Sequence, residues 1–440
     1  MAAKKSNPLI YADNNATTLI CEPAAKAHID WLRCYNPSTD SKIVTGVKNM
    51  IESTKHYILN HCGTSSSNHT LVFTSGATES NCFILRSCVK AFKRKLSENG
   101  SPLLPHIISS CIEHHSILDC LEELEQYGDA EVTLIKPTIY GNILPRDVEM
   151  AIKPNTCLIS IMFANNEIPT INNIREIGAI AHKNKIPLHS DCVQVFGKFP
   201  IDVIKNNIDV LSASAHKFYG SKGIGILIVN NMLIEGYQLG AEINGTQQHG
   251  LRGGTENVSG IADCGAALQY VMKRRSEKNE RLLFMRETFL KRMGELYPFG
   301  NYQTYVQEDK ASMLMDPTKG KPPIELLSLG PPAEDERARQ YILPNTILLS
   351  ICKNQGKPFC NVELKKFLDH KNIVVSIGSA CQTKADKASH VVRAIGAPPV
   401  VRRGILRISF GDTNTPSEAK KIAEMIAEGI EKQCSDIIRE

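Results

Sequence analysis

The residue types best suited to chemistry gather in one stretch, Leu211-Ser-Ala-Ser-Ala-His-Lys-Phe-Tyr-Gly-Ser-Lys-Gly-Ile-Gly225. It leaves an apolar segment at 208–211, delivers Ser214, His216 and Lys217, and turns through Gly220, Gly223 and Gly225 into a second apolar run at 226–229. A lysine held between a buried strand and a glycine turn can be desolvated, which favours its neutral amine. A neutral lysine amine is the nucleophile that forms Schiff bases with carbonyl compounds. An ordinary exposed turn lysine is the competing reading of Lys217. Three more patterns bear on the choice. Ser75-Gly-Ala-Thr78 opens a long helical pattern; it offers a phosphate backbone N–H groups, a hydroxyl and a helix dipole, although Thr78 alone also reads as a helix cap. Asp191 ends an expected strand, where a carboxylate is either a ligand or a surface turn. Ile377-Gly-Ser-Ala-Cys381-Gln-Thr has small residues and neither helical nor strand periodicity, which predicts a mobile loop carrying a thiol.

The elements that must position these residues read as alternating strands and helices. Strands are expected at 71–74, 106–110, 132–135, 157–163 and 186–189, and helices at 23–32, 43–59, 78–92, 116–127 and 174–183. This alternation argues for an α/β fold with a mainly parallel, doubly wound sheet. Ligands of such sheets bind beyond the carboxyl ends of strands. The polar clusters obey that rule: residues 75–78, His114, Asn165-Asn166-Glu167 and Asp191 each follow an expected strand. From about 256 a long helical pattern begins and the alternation weakens. Residues 306–339, rich in Lys, Asp, Glu and Pro, read as a surface insertion.

Composition narrows the class. The 440 residues are 42% hydrophobic and 22% charged, with 51 Lys and Arg against 46 Asp and Glu. Such a chain can bury a sizeable core in two domains, and a net +5 is too mild to argue for nucleic acid. The basic run at 90–95 is simplest as a solvated helix face. No stretch approaches the ~18 apolar residues of a membrane span, and the N-terminus shows no secretory or transit pattern. The 14 cysteines lack disulfide-framework spacing, so free thiols in a reducing, cytoplasmic setting are expected. Most sit in apolar context, where burial keeps a thiol inert, and Cys360 is expected among the buried ones. Cys111-Ile-Glu-His114-His115 lacks a second ligand pair at zinc spacing, so no metal is expected.

Several patterns stand in one order: Tyr11-Ala-Asp-Asn-Asn-Ala-Thr-Thr18, Thr74-Ser-Gly-Ala-Thr-Glu-Ser80, Ile112-Glu-His-His115, His189-Ser-Asp-Cys-Val-Gln194 with Gly197-Lys-Phe-Pro200, Ser212-Ala-Ser-Ala-His-Lys217, Gly250-Leu-Arg-Gly-Gly-Thr-Glu-Asn257 and Gly378-Ser-Ala-Cys381. Together they resemble the cysteine desulfurases of the NifS/IscS kind, which are class V aminotransferase-like enzymes of fold type I dependent on pyridoxal 5'-phosphate (PLP). The resemblance covers most of 9–270 and 343–415. It implies a large PLP-binding domain at 21–273 with a seven-stranded type of sheet. It also implies a smaller α+β domain from 1–20 and 274–440, bearing the 306–339 insertion and the catalytic cysteine loop at 376–386.

By the same resemblance, Gly76, Ala77, Thr78, Ser214 and His216 hold the PLP phosphate, and Thr255 reaches it from the other subunit of a homodimer. Asp191 pairs with the pyridine nitrogen, Gln194 with the ring's phenolic oxygen, and Asn166 lies on the cofactor and substrate side. His114 stacks on the ring and shuttles protons, with His115 the competing candidate. Lys217 holds the cofactor as a Schiff base and then removes the α-proton. Arg407, in Leu406-Arg-Ile-Ser-Phe-Gly411, clamps the substrate carboxylate through its planar fork; a strand-edge salt bridge is the plainer reading. Cys381 takes the sulfur as a persulfide. The implied reaction converts L-cysteine to L-alanine and supplies sulfur for iron–sulfur cluster or other thio-cofactor assembly, with a scaffold or other acceptor protein as partner. Three rivals remain: selenocysteine lysis, another class V reaction such as transamination, and an inactive scaffold for an assembly partner. Three features depart from the family pattern. Ser221 replaces the proline of the Gly-Pro-Lys-Gly turn, Gln382 follows the cysteine where serine or threonine is common, and the 306–339 segment is longer than usual.

Overall fold

In the computed structural model, described over residues 8–307, 324–332, 339–353, 359–378 and 389–435, long apolar runs build two principal sheets. The larger has seven strands in the order His69–Thr74, Gly225–Asn230, Val210–Ser214, Leu188–Asp191, Thr156–Ser160, His106–Ser110, Glu131–Ile135. Gly225–Asn230 runs antiparallel to both neighbours, and every other pairing is parallel. His106–Ser110, Thr156–Ser160 and Val210–Ser214 are buried at every residue. Burial on both faces is what helices covering a parallel sheet impose, and it explains why these strands show no alternation of buried and exposed residues.

The helices form where the 3.6-residue periodicity and end signals coincide. Ile174–Lys183 occupies the span expected from its pattern, and Asn173 caps it by accepting from the Glu176 amide. The long helical pattern after 256 is two helices, Val258–Met272 and Arg275–Leu296, parted where Arg274 leaves helical geometry at φ −140° and ψ 34°. One glycine is decisive for the site. A Cβ on Gly225 would lie 2.4 Å from Thr74 Oγ1 and 2.6 Å from Gly76 Cα, so only glycine lets this strand start against the 74–76 turn.

The second sheet has four strands in the order Ile405–Ser409, Thr346–Lys353, Ile324–Leu329, Phe299–Asn301. Arg275–Leu296, Asn361–His370 and Pro416–Ser435 supply helical side chains to its apolar core, together with Ile10 and Ala12 from the N-terminus. Ile10–Tyr11 pairs in parallel with Ile373–Val374. Here the expectation of a surface insertion over 306–339 needs correction: Ile324–Leu329 is a largely buried internal strand, with Leu326 and Leu327 fully enclosed. The polar stretches flanking it masked a six-residue apolar strand. No helix among the described residues is long and apolar enough to cross a membrane.

Candidate active site

The carboxyl ends of the large sheet's parallel strands and the start of the Ala77–Glu98 helix surround a cavity of about 580 Å³. Of the residues expected to act, Gly76, Ala77, Thr78, His114, Asn166, Asp191, Gln194, Ser214, His216, Lys217 and Arg407 all line it. Thr255 does not; it is exposed just beyond Gly253 and Gly254. Cys381 and Gln382 lie outside the described residues, although Ser376 and Gly378, just before them in the chain, line the cavity.

Lys217 ends a single tight turn, Ala215–Lys217, that leaves the Val210–Ser214 strand. Its Nζ donates to the carbonyls of Asn15 (2.6 Å) and Ala16 (2.7 Å). Burial, then the Arg407 guanidinium, pull its pKa down to about 8, against the opposing pull of Asp191 and Asp13. The neutral amine expected from the strand-to-glycine context is therefore accessible near neutral pH. Lys198 Nζ is buried without a hydrogen-bond partner, and burial followed by the charge of Lys217 brings it to about 7. Burial and the neighbouring cations Lys217 and Arg407 thus favour the neutral amine at Lys198.

Asp191 closes the Leu188–Asp191 strand, buried, with Oδ1 accepting from the Val193 amide and Oδ2 from Asn81 Nδ2, both at 2.9 Å. Asn81 Nδ2 also donates to Ser116 Oγ (2.9 Å), which lies 2.9 Å from His114 Nδ1. That nitrogen also accepts from the Ser116 amide at 3.1 Å, so the ring proton sits on Nε2. The rings of His114 and His115 are thus distinguished. His114 caps the His115–Gln126 helix and lines the cavity, whereas His115 is not among its lining residues and pairs with Asp119. Burial lowers the His114 pKa, with Asp191 opposing and Lys217 reinforcing the shift.

The helix start at Gly76 has no side-chain cap, and Thr78 and Ser214 line the same end of the cavity. Its first-turn amides are the donors a phosphate requires. Glu79 accepts from the Ser75 amide and pairs with Arg252 at 2.9 Å, tying the 250–254 loop to this end. His216 Nδ1 lies 3.0 Å from Thr17 Oγ1; burial, then Lys217 and Lys222, lower its pKa to about 4, so its ring is neutral. Gln194 donates to the Asn15 carbonyl at 3.2 Å, while its buried Oε1 has no partner.

Arg407 lies in the middle of the Ile405–Ser409 strand and is buried. It donates to the Asn166 carbonyl (2.8 Å) and pairs with Asp13 (2.5 Å), and its Nε has no partner. The plainer reading of a strand-edge salt bridge thus describes a real contact, made inside the cavity wall. The roles of Asn15, Ala16, Asp13 and Asn81 were not singled out from sequence. The Tyr11–Thr18 pattern contained the first three, but their function is carried by carbonyls and a counter-charge, which residue type does not advertise.

One of the three departures, Ser221, gains a structural account. The Ser221 amide and hydroxyl both donate to Asp263, at 3.0 and 2.6 Å, and His28 holds the same carboxylate at 2.7 Å. This tether restrains the turn that a proline would otherwise stiffen. Cys360 is exposed rather than buried, because it precedes the Asn361–His370 helix at the surface. Lys90, Lys93, Arg94 and Lys95 are exposed, as a solvated face requires. No group of three or more His, Cys, Asp or Glu among the described residues could hold a metal.

Residues 10–327 match the class V aminotransferase family. The chain is 32% identical over 429 residues to the cysteine desulfurase IscS of Methanosarcina thermophila, covering 97% of this chain and 93% of that one. It is 34% identical over 364 residues to the IscS of Clostridium botulinum (strain Hall), covering 82% and 79%. Among solved structures, a NifS-like protein from Rickettsia africae superposes with a TM-score of 0.74 at 26% identity, over 96% of this chain and all of that one. A structure described as SspA in complex with cysteine superposes with a TM-score of 0.67 at 30% identity, over 91% and 98% of the two chains.

Proposed function

Because the chain belongs to the class V aminotransferase family and, within it, to the IscS-like cysteine desulfurases, we propose that its cavity binds PLP and L-cysteine, yields L-alanine, and passes the sulfur to Cys381 as a persulfide. The observation that carries this reading is the convergence of a desolvated lysine, a buried carboxylate, an uncapped helix start and a buried arginine around one cavity.

The donor set fits PLP. The amides after Gly76, with Thr78, Ser214 and His216, suit a phosphate; Asp191 suits a protonated ring nitrogen; and the partnerless Gln194 side chain suits a ring oxygen. When bound, PLP supplies an electron sink that makes the α-proton of an attached amino acid removable. The chain's own residues supply the rest. Lys217, neutral above about pH 8, takes the α-proton at Nζ. His114, neutral and protonated on Nε2, offers a second site for proton movement. Arg407 orients the substrate carboxylate, and Asp13 keeps its fork in place before substrate arrives. Asn81 holds both Asp191 and Ser116, so the ring-nitrogen partner and the His114 ring share one support. Cys381 attacks the substrate sulfur as a thiolate.

The working unit in this proposal is a homodimer in which Thr255, exposed and not among the residues lining its own cavity, completes the phosphate site of the other subunit. The product sulfur goes to an acceptor protein of iron–sulfur or other thio-cofactor assembly. Incubation of the PLP-loaded protein with L-cysteine and a thiol reductant tests the reading. Equal amounts of sulfide and alanine are expected. Pyruvate or amino-group exchange without sulfide would point to another class V reaction and defeat it.

A further inference from the structure

The groups assigned to the phosphate carry no full positive charge. Thr78 and Ser214 are neutral hydroxyls, the helix start at Gly76 offers about half a unit charge, and the His216 ring is neutral. A phosphate monoester is close to a dianion above its second pKa of about 6. Amides and hydroxyls bond its oxygens without balancing its charge. Among the described residues, three lysines and arginines line the cavity. Two are engaged: Lys217 by the Asn15 and Ala16 carbonyls, and Arg407 by Asp13 and the Asn166 carbonyl. The third is Lys222, to which the proposed reaction gives no task. We propose that Lys222 is a cofactor-binding residue whose ammonium group supplies the counter-charge to the PLP phosphate from the exposed edge of the cavity, an inference that rests on the PLP reading of the site.

The backbone places Lys222 at the phosphate end. Three residues on, Gly225 begins its strand against the 74–76 turn, so closely that a Cβ there would lie 2.6 Å from Gly76 Cα. The Ala215 amide donates to the Ile224 carbonyl at 3.1 Å, which sets this turn beside the segment bearing Ser214 and His216. Both neighbours of Lys222 are tethered. Ser221 donates twice to Asp263, and the Gly223 carbonyl accepts from Asn257 Nδ2 at 3.4 Å.

The side chain, by contrast, is uncommitted. Lys222 is exposed, and among the described residues it makes no ion pair or hydrogen bond. Its charge nevertheless reaches into the cavity, where it joins burial and Lys217 in lowering the His216 pKa. An exposed lysine is ordinarily a solvated surface group. Lys222 differs in standing on the wall of an anion site, on a turn fixed at both sides. A compact ammonium on a flexible stem suits a phosphate approached from one side, because it needs no planar, bidentate geometry.

Cofactor affinity, rather than turnover, is the readout. Cofactor-free full-length parent, Lys222→Ala and Lys222→Arg are titrated by equilibrium dialysis with PLP and, separately, with pyridoxal, which lacks the phosphate. Lys222→Ala should weaken PLP binding about three- to fivefold, the size expected of an ion pair open to solvent, and leave pyridoxal binding unchanged. Lys222→Arg should keep most of the parent's preference for PLP over pyridoxal. The gap between parent and Lys222→Ala should shrink as salt is added, because an exposed pair is screened. Equal PLP affinities in parent and Lys222→Ala would overturn the inference. So would an equal loss for PLP and pyridoxal, which would make Lys222 a support of the turn. A raised KM for L-cysteine with PLP affinity unchanged would assign its charge to the substrate and overturn the inference as well. Failure of the parent itself to bind PLP would defeat the proposed function, and this inference with it.

Discussion

The two sheets equip the cavity in opposite ways. The seven-stranded sheet places its groups just past strand ends: His114 after His106–Ser110, Asp191 closing Leu188–Asp191, and Lys217 after Val210–Ser214. The four-stranded sheet contributes Arg407 from the middle of a strand, locked by Asp13 and the Asn166 carbonyl. A strand-end side chain can be exchanged with little harm to the sheet. A mid-strand arginine is part of the wall. The difference predicts that the first group governs turnover, while Arg407 governs both substrate affinity and the joint between the N-terminal segment and the small sheet.

The largest effect expected is from Lys217→Ala. It should lower turnover by on the order of 10⁴-fold, as loss of a nucleophile and general base does, with folding retained. Steady-state kinetics and circular dichroism check this together; near-normal turnover would break the first half of the comparison. Arg407→Ala should raise KM about 10–100-fold, the loss expected for a charge-assisted contact of about 1.5–3 kcal/mol. It should also lower thermal stability, because Asp13 is left without its partner. A KM effect with no change in melting would show that Arg407 behaves like a strand-end residue after all.

The third prediction concerns pH. Lys217 is depressed to about 8, so its reactive neutral form is lost as pH falls through that value. The rate at which PLP attaches to cofactor-free protein should therefore fall about tenfold per pH unit below 8 and level off above it. A plateau reached only above pH 10 would mean that the cavity does not desolvate the amine.

The smallest effect belongs to Glu113, buried within the large sheet's end and raised to about 8 by burial, with Asp191 adding to the rise. A carboxyl raised in the folded state binds more protons there than in the unfolded chain, so this group costs stability as pH climbs from about 4.5 towards 8. Glu113→Gln keeps an acceptor for Ser110 and the Met162 amide and removes that cost. Its stability relative to the parent should rise progressively between pH 5 and 8 in urea titrations, by at most about 1.4 kcal/mol per pH unit. A constant difference would show that Glu113 is ionised in the fold.

Much of the first sheet's contribution was legible in the chain, because a strand end followed by a polar cluster is a local pattern. The Ile174–Lys183 helix fell where periodicity put it, whereas the strands expected around 186–189 and 208–211 run two to three residues further, so that Asp191 closes its strand rather than following it. Legibility failed where position depends on distant partners. The Ile324–Leu329 strand was hidden because its burial comes from Thr346–Lys353 and Phe299–Asn301, not from its own polar flanks.

By itself, then, the sequence determined the alternating α/β frame, the order of the site motifs and the identities of the lysine, carboxylate and arginine that face the cavity. Only tertiary structure decided that the Asn15 and Ala16 carbonyls hold Lys217, that Asn81 joins Asp191 to His114 through Ser116, and that Arg407 meets Asp13 from 394 residues away. The reason is physical. A backbone carbonyl is the same group in every residue, and the strength of a charge pair depends on distance and burial, neither of which is set by neighbours along the chain.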